Sequence, residues 1–496
     1  MRITRLHLLI RLGLSLLLGA LLPLAFAPFS VWPLAILVPA LMLAVIQASP
    51  SQRNVFLAGG SFGIGYFGFG VYWIYNSLHD FGMAPPLVAG GITALLVIVL
   101  ALFPALMFAF WYFTRQRFGE VSLWLLPLFW FGMEWFKGWF ATGLPWLSLG
   151  YSQTESPLAG FAPLVGVYGI GALCMLMAVA LFLLLRDKRY LMLAVLVLVP
   201  LAGWLLQQVE WTEPQANSMT VTMVQGNIPQ DVKWRYDQRQ NIFNTYWRET
   251  GRHWDSDLII WPETALPGHS EQIEQSVLQP LQQEAIEHGT TLLTGLVVSE
   301  DDSNRFFNSV IMLGSERGYY HKRHLVMFGE YYPLRWLLDV FSGLISIPYS
   351  DLSAGPREQP LMRVDGNALG VSICFEDVFS REVLRALPEA SLLVNLSNDA
   401  WFGNSTAPHQ HQQIAQMRAQ ETGRVIMRAT NTGVSAFVDH KGRVIAQSRQ
   451  FETESITAVV QGRGGVTPFY YFARVQGLLA LAPFVVVLLL ARRKVG

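Results

Sequence analysis

Three short segments carry residue types able to do acyl chemistry. Glu263 stands in Trp261-Pro262-Glu263-Thr264, directly after the apolar run Leu258–Trp261. A carboxylate in that place sits at the carboxyl end of a strand, where α/β folds gather their ligands. Lys322 lies in His321-Lys322-Arg323-His324-Leu325, with Phe328-Gly329-Glu330 close behind. A compact turn brings Lys322 and Glu330 together. Cys374 ends the apolar run Gly370–Ile373 and is followed by Phe375, Glu376 and Asp377. Acidic residues there favour a helix start. Such an elbow lifts the sulfur out of the core and aims main-chain N–H groups where an oxyanion would form. Taken singly, each segment has a plainer reading: a solvated loop glutamate, a surface basic cluster, an inert core cysteine. The surface reading is kept for Arg323. Together the three supply a base, a cation and a nucleophile. The thiol needs a base to become a thiolate, and the lysine stabilises thiolate and oxyanion alike. His321 and His324 lack a carboxylate or cysteine at ligand spacing, so no metal is expected there.

The elements that must position these residues read as α/β. Strands are expected at Met219–Gln225, Leu258–Trp261, Thr291–Val298, Asn308–Leu313, Leu369–Cys374, Ser391–Leu396, Val434–Asp439, Val444–Gln447 and Ile456–Val460. Met219–Gln225 alternates as a half-buried strand does. Helices are expected over Tyr236–Gly251, Glu271–His288 (closed by Gly289), Ser380–Leu387 and His409–Met427. Strands alternating with helices argue a layered α/β sheet structure. No repeat or low-complexity stretch interrupts it.

The rest of the chain is different material. Of 496 residues, 52% are hydrophobic, and the mean hydropathy is +0.34. Residues 1–206 hold 15 charged residues, residues 207–473 hold 51. A net charge of zero argues against nucleic-acid binding. Eight apolar stretches approach the length of a membrane span: Leu8–Ala27, Val31–Ala48, Val55–Tyr75, Leu87–Phe113, Val121–Phe136, Phe161–Leu185, Leu191–Gln207 and Val475–Leu490. The first two can also form a hairpin. The first reads as a retained helix, because spans follow it and no cleavage site stands out. With the N-terminus cytoplasmic, one side receives Arg2, Arg5, Arg53, Arg115, Arg117, Arg186, Lys188, Arg189, Arg492, Arg493 and Lys494. The opposite short loops receive only Lys137. This asymmetry places residues 208–473 on the non-cytoplasmic face. The expected layout is a membrane domain over 1–207 with about seven spans, a catalytic domain over 208–473, and a last span with a basic tail over 474–496. Cys174 lies inside an apolar span and reads as packing, and two cysteines make no disulfide framework. Glu134 and Lys137, at i and i+3, are expected to pair, with lipid head-group contact as the alternative. Gly59, Gly60, Gly63, Gly65, Gly68 and Gly70 suit close helix packing.

With these motifs in order, the chain resembles the nitrilase (carbon–nitrogen hydrolase) superfamily, whose members use a Glu–Lys–Cys triad in an αββα sandwich. The spans around it make it similar to the apolipoprotein N-acyltransferases. The resemblance rests on Gln225-Gly226-Asn227-Ile228-Pro229-Gln230 with Lys233-Trp234, Trp261-Pro262-Glu263, Lys322 to Val326, Phe328-Gly329-Glu330, Cys374-Phe375-Glu376 and Ser397 to Gly403. It implies Glu263 as general base, Lys322 as oxyanion-stabilising cation and Cys374 as nucleophile. It further implies Glu330 as the group orienting the lysine and Glu376 as a supporting acid. Trp234 and Trp401 would border the acyl site. Phe375 departs from the tyrosine often found after the cysteine, which leaves only a main-chain N–H role there. The implied reaction is ping-pong: an acyl chain passes from a phospholipid (phosphatidylethanolamine) to Cys374, then to the α-amino group of a diacylglyceryl apolipoprotein. The implied location is the inner membrane of a Gram-negative bacterium, with the catalytic domain in the periplasm. No cofactor and no metal is implied. A tethered amidase would not need so many spans. A transporter or scaffold with a dead domain would not need all of Glu263, Lys322 and Cys374.

Overall fold

A computed structural model describes residues 2–300, 305–331 and 351–493. Lys494 of the basic tail lies outside the described residues. The chain divides into two compact units. One comprises Met1–Tyr75, Pro86–Glu210 and Pro468–Gly496, the other Asn76–Pro85 and Trp211–Thr467. The second unit thus begins and ends a few residues inside the expected 208–473. It also recruits ten residues from between two apolar helices.

The second unit contains two six-stranded sheets. The strands are β1 Glu213–Gln225, β2 Leu258–Ile260, β3 Thr291–Glu300, β4 Arg305–Leu313, β5 Gly318–His321, β6 Met362–Val364, β7 Asn367–Ile373, β8 Leu392–Ser397, β9 Val425–Thr430, β10 Ala436–Val438, β11 Val444–Gln447 and β12 Glu454–Gly464. Their orders are β12-β1-β2-β3-β4-β5 and β11-β10-β9-β8-β7-β6. Alternation in β1 sends Met219, Val221 and Met223 into one core, shared with Leu369, Val371 and Ile373 of β7 and Val394 and Leu396 of β8. The opposite side of the first sheet, including Val224, Ile259 and Leu292, packs on Ile242, Tyr246, Leu278 and Leu281 of helices. The result is helix, sheet, sheet, helix, the αββα sandwich that the resemblance implies. Strands β7, β8 and β9 run parallel. A parallel strand covered on both faces needs continuous apolarity, and all six residues of β8 are buried.

Two expectations change here. The helix expected to run to Met427 stops at Thr422, because Gly423 adopts a left-handed φ of +63° and caps it. The chain then forms β9, a buried strand. Strands β5 and β6, four and three residues long, carry too short a pattern to be read beforehand.

The membrane unit is helical: α1 Arg2–Leu21, α2 Leu34–Gln47, α3 Gln52–Gly70, α4 Pro86–Phe118, α5 Leu126–Lys137, α6 Ala162–Asp187, α7 Met192–Leu206 and α8 Pro468–Arg493. All eight apolar stretches carry helix, but they are not eight equal spans. Among the described residues, four helical stretches are long and apolar enough to cross a membrane, or five counting the bent pair Gln52–Gly70 and Trp73–Phe81. α4 and α5 form one of them, Pro86–Lys137, and Leu34–Gln47 and Met192–Leu206 are shorter than a span. A Cβ at Gly63 would lie 2.6 Å from Ala101 Cα of α4, and one at Gly65 would strike Leu16 of α1, so these glycines admit close helix contacts. Gly60 and Gly68 have ordinary space. Glu134 and Lys137 are buried and face each other's charge, and each also hydrogen-bonds to the following segment. The Leu149 N–H donates to Glu134 Oε1 at 2.6 Å, and Lys137 Nζ donates to Trp146 O at 2.9 Å. Cys174 is fully buried in α6.

Candidate active site

Parallel pairing brings strand ends together. β2 delivers Glu263, β7 delivers Cys374 and β8 delivers Ser397 and Asp399 at their carboxyl ends. Cys374 has a left-handed φ of +50° and opens the short helix Cys374–Val378. A non-glycine residue held there is strained, a feature that concentrates at functional sites. Asn395 Nδ2 donates to Cys374 O at 3.1 Å and anchors the elbow from β8. Burial pushes the thiol well above its usual range and the Glu263 carboxylate adds to this, while Lys322 opposes both. Both effects favour the neutral thiol over the thiolate.

Lys322 follows β5, and its N–H donates to Asn308 O of β4 at 2.8 Å. Its side chain is 1% exposed, with Nζ 2.8 Å from Glu330 Oε1 and 3.6 Å from Glu263 Oε1. Burial alone would lower its pKa, but Glu330 and Glu263 more than reverse this and hold it charged. Asn308 Nδ2 donates to Glu263 Oε1 at 2.7 Å and to Glu330 Oε1 at 2.9 Å. One amide thus spaces two carboxylates, buried Glu263 and half-buried Glu330, around one ammonium. Nothing in the sequence around Asn308 marks it. Its neighbours read simply as a strand.

Glu376, fully buried, braces the site. Its Oε1 accepts from Arg323 N at 2.7 Å and His324 N at 3.1 Å. Its Oε2 accepts from Ile373 N at 2.8 Å and Tyr320 Oη at 2.9 Å. One carboxyl thereby ties the segment after Lys322 to the residue before Cys374. Burial raises its pKa despite those hydrogen bonds. Arg323 is not the surface residue expected: it lies 3.6 Å from Glu382 and over the Tyr320 ring, because its main chain is tied to buried Glu376. Phe375 is half-buried, with its ring 5.1 Å from that of Phe379.

The segment Gln225–Trp234 wraps the other side. Asn431 accepts from Ile228 N at 2.9 Å and donates to Ile228 O at 2.7 Å. Asn431 also donates to Asn398, which donates to Gln230. This lattice places the short helix Gln230–Lys233, and Lys233 Nζ donates to Glu263 O at 3.1 Å. Trp234, half-buried, ends that helix. Trp401, also half-buried, lies on the turn Asp399–Phe402. Ser77 donates to Trp401 O at 2.8 Å, and the Phe81 ring meets the Trp401 indole edge-on at 6.4 Å. Behind them Asp399 accepts from Arg428 Nη2 at 2.9 Å, and His411 bridges Asp399 and Asp377 at 3.2 and 2.8 Å. Burial would raise the Asp399 carboxyl, but Arg428 and His411 hold it well below the carboxylate range. Asn308, Arg428 and His411 are not marked in the sequence, and Lys233 stands in a segment that carries the resemblance but has no role assigned from it.

The family profile for the apolipoprotein N-acyltransferase N-terminal domain matches residues 18–180, and that for carbon–nitrogen hydrolases matches residues 220–468. An apolipoprotein N-acyltransferase of Methylococcus capsulatus is 44% identical over 91% of this chain and 90% of its own length. One of Nitrosomonas europaea is 42% identical, over 92% and 93%. One of Coxiella burnetii is 39% identical, over 92% and 95%. Both units are matched in order and over nearly their whole length, and the chain belongs to the apolipoprotein N-acyltransferase family.

Proposed function

We propose that this chain N-acylates the lipid-modified N-terminal cysteine of apolipoproteins, using a phospholipid such as phosphatidylethanolamine as donor and Cys374 as the transit point. The observation that carries this reading is the convergence of Glu263, Lys322 and Cys374 on one buried site in a chain of this family. In the first half, the Cys374 S–H bond breaks as Glu263 takes the proton, and sulfur attacks the ester carbonyl. Lys322 and the main-chain N–H of Phe375 face the developing oxyanion. The ester C–O bond then breaks, the lysophospholipid leaves with the proton from Glu263, and a thioester remains. In the second half, a neutral α-amino group attacks the thioester and passes a proton to Glu263. The C–S bond breaks and the thiol is restored. Glu330 holds Lys322 in place, Glu376 fixes the distance between cation and nucleophile, and Trp234 and Trp401 flank the acyl chain. The charge asymmetry of eleven basic residues to one supports an inner-membrane location in a Gram-negative bacterium with the catalytic unit in the periplasm. Substrates that stay in the bilayer account for the membrane helices.

Intact-protein mass spectrometry after incubation with phosphatidylethanolamine tests this. The expected result is a gain of one acyl chain, released by hydroxylamine and absent in Cys374→Ala. If no phospholipid acylates the wild-type protein, the reading is wrong. Transfer onward to a diacylglyceryl lipopeptide, rather than release of free fatty acid, separates the acyltransferase from a hydrolase.

A further inference from the structure

Two buried lysines stand at this site, and the mechanism above uses one. Lys322 is held by two carboxylates. Lys233 is 2% exposed, and its described hydrogen bond is to a neutral acceptor, the Glu263 main-chain oxygen at 3.1 Å. Its helix is fixed to the ends of β8 and β9 through Gln230, Asn398 and Asn431, which places the lysine beside the main chain of Glu263. We propose that Lys233 is a second cation of the active site, which holds the main chain of the base and stabilises the negative charge that appears on Cys374. This rests on the reading of Cys374 as nucleophile and Glu263 as base.

The charge balance supplies the reason. When the thiol proton passes to Glu263, negative charge moves from carboxylate to sulfur. Lys322 remains engaged by Glu330 at 2.8 Å. A buried ammonium with spare N–H groups is costly until an anion arrives beside it. Glu263 and Cys374 are the titratable groups that face Lys233. Burial pulls its pKa down to about 8, against the opposing pull of those two groups. The cation is therefore present near neutrality and lost in mild alkali.

Alkylation of Cys374 by iodoacetamide, followed by peptide mass spectrometry from pH 6 to 10 on the full-length protein in detergent, tests this. Wild type is expected to show an inflection near the Lys233 pKa of about 8, superposed on thiol ionisation. Lys233→Met should react about tenfold more slowly at pH 7, equivalent to a shift of about one pKa unit, and lack the inflection. Lys233→Arg should keep the neutral-pH rate and also lack the inflection. Lys233→Met with wild-type rate, or a slow variant that retains the inflection, would overturn the proposal. If Lys233→Met does not fold, an inflection persisting in Lys233→Arg overturns it. A wild-type Cys374 that neither alkylates nor acylates instead removes the underlying reading.

Discussion

Glu376→Gln isolates positioning from chemistry. The carboxyl accepts four hydrogen bonds, from Arg323 N, His324 N, Ile373 N and Tyr320 Oη at 2.7 to 3.1 Å. Glutamine keeps the shape but has one oxygen. With that oxygen on Arg323 and His324, the amide NH2 faces Ile373 N–H, and one buried donor is orphaned at about 1–3 kcal/mol. The Tyr320 hydroxyl can rotate to accept from the amide. Against that loss, the substitution removes a buried charge, and burial already outweighs the hydrogen bonds in setting this carboxyl's pKa. The two effects are of similar size and opposite sign, so stability should change by less than about 2 kcal/mol. Geometry does not cancel in this way. Ile373 precedes Cys374 and Arg323 follows Lys322, so a slackened brace moves both. A displacement of about 1 Å at reacting groups costs about a hundredfold in rate. The assay is the rate of hydroxylamine-labile acylation from phosphatidylethanolamine, with thermal unfolding measured beside it. An unchanged acylation rate would refute the brace. Activity lost only in proportion to unfolded protein would refute the separation of geometry from stability.

Asn308→Asp should abolish acylation more completely than Asn308→Ala. It replaces the donor between Glu263 and Glu330 with a third carboxyl, adding repulsion to the loss of two hydrogen bonds. The reverse order of activities would contradict the spacer role. Cys174→Ser should acylate at close to the wild-type rate, because that residue is packed inside α6; a dead enzyme would undo the packing assignment. Lys233 also predicts a stability profile. Its folded pKa of about 8 lies below its ordinary 10.5, so between those values the unfolded chain holds more protons. This contribution is present above the unfolded pKa and is lost as pH falls through the folded one, a swing of about 3 kcal/mol. Thermal unfolding of Lys233→Met should lack that rise between pH 8 and pH 10.5. An identical rise in the variant would argue against a buried titrating lysine at this position.

Glu263 and Cys374 could be singled out in the sequence because a functional residue just past an apolar strand is a local pattern. Lys322 could be singled out because it falls in a short segment with Glu330. Glu376 reads locally as no more than an acid at a helix start, and its supporting role, like the two tryptophans, came only with the family resemblance. Helix ends were less legible. Arg424 falls inside the expected helix His409–Met427, and Arg428 stands just past its end. They are instead buried on and beside β9, where Arg424 donates to Ala390 O and Arg428 to Asp399. A backbone-capping glycine outweighs helical periodicity, and periodicity alone does not reveal it.

By itself, then, the sequence determined a membrane-embedded chain with an inserted α/β unit and a glutamate, a lysine and a cysteine after strands. Hydropathy, charge count and strand-end position are properties of neighbouring residues and need no fold to be read. Only the tertiary structure decided that Asn308 separates the two carboxylates, that Glu376 binds the elbow to the lysine segment, and that Lys233 stands behind Glu263. It also drew residues 76–85 into the catalytic unit. Most of those relations join residues 22 to 324 positions apart in the chain. They depend on which buried donor is left without water, and that is settled only when the sheets close.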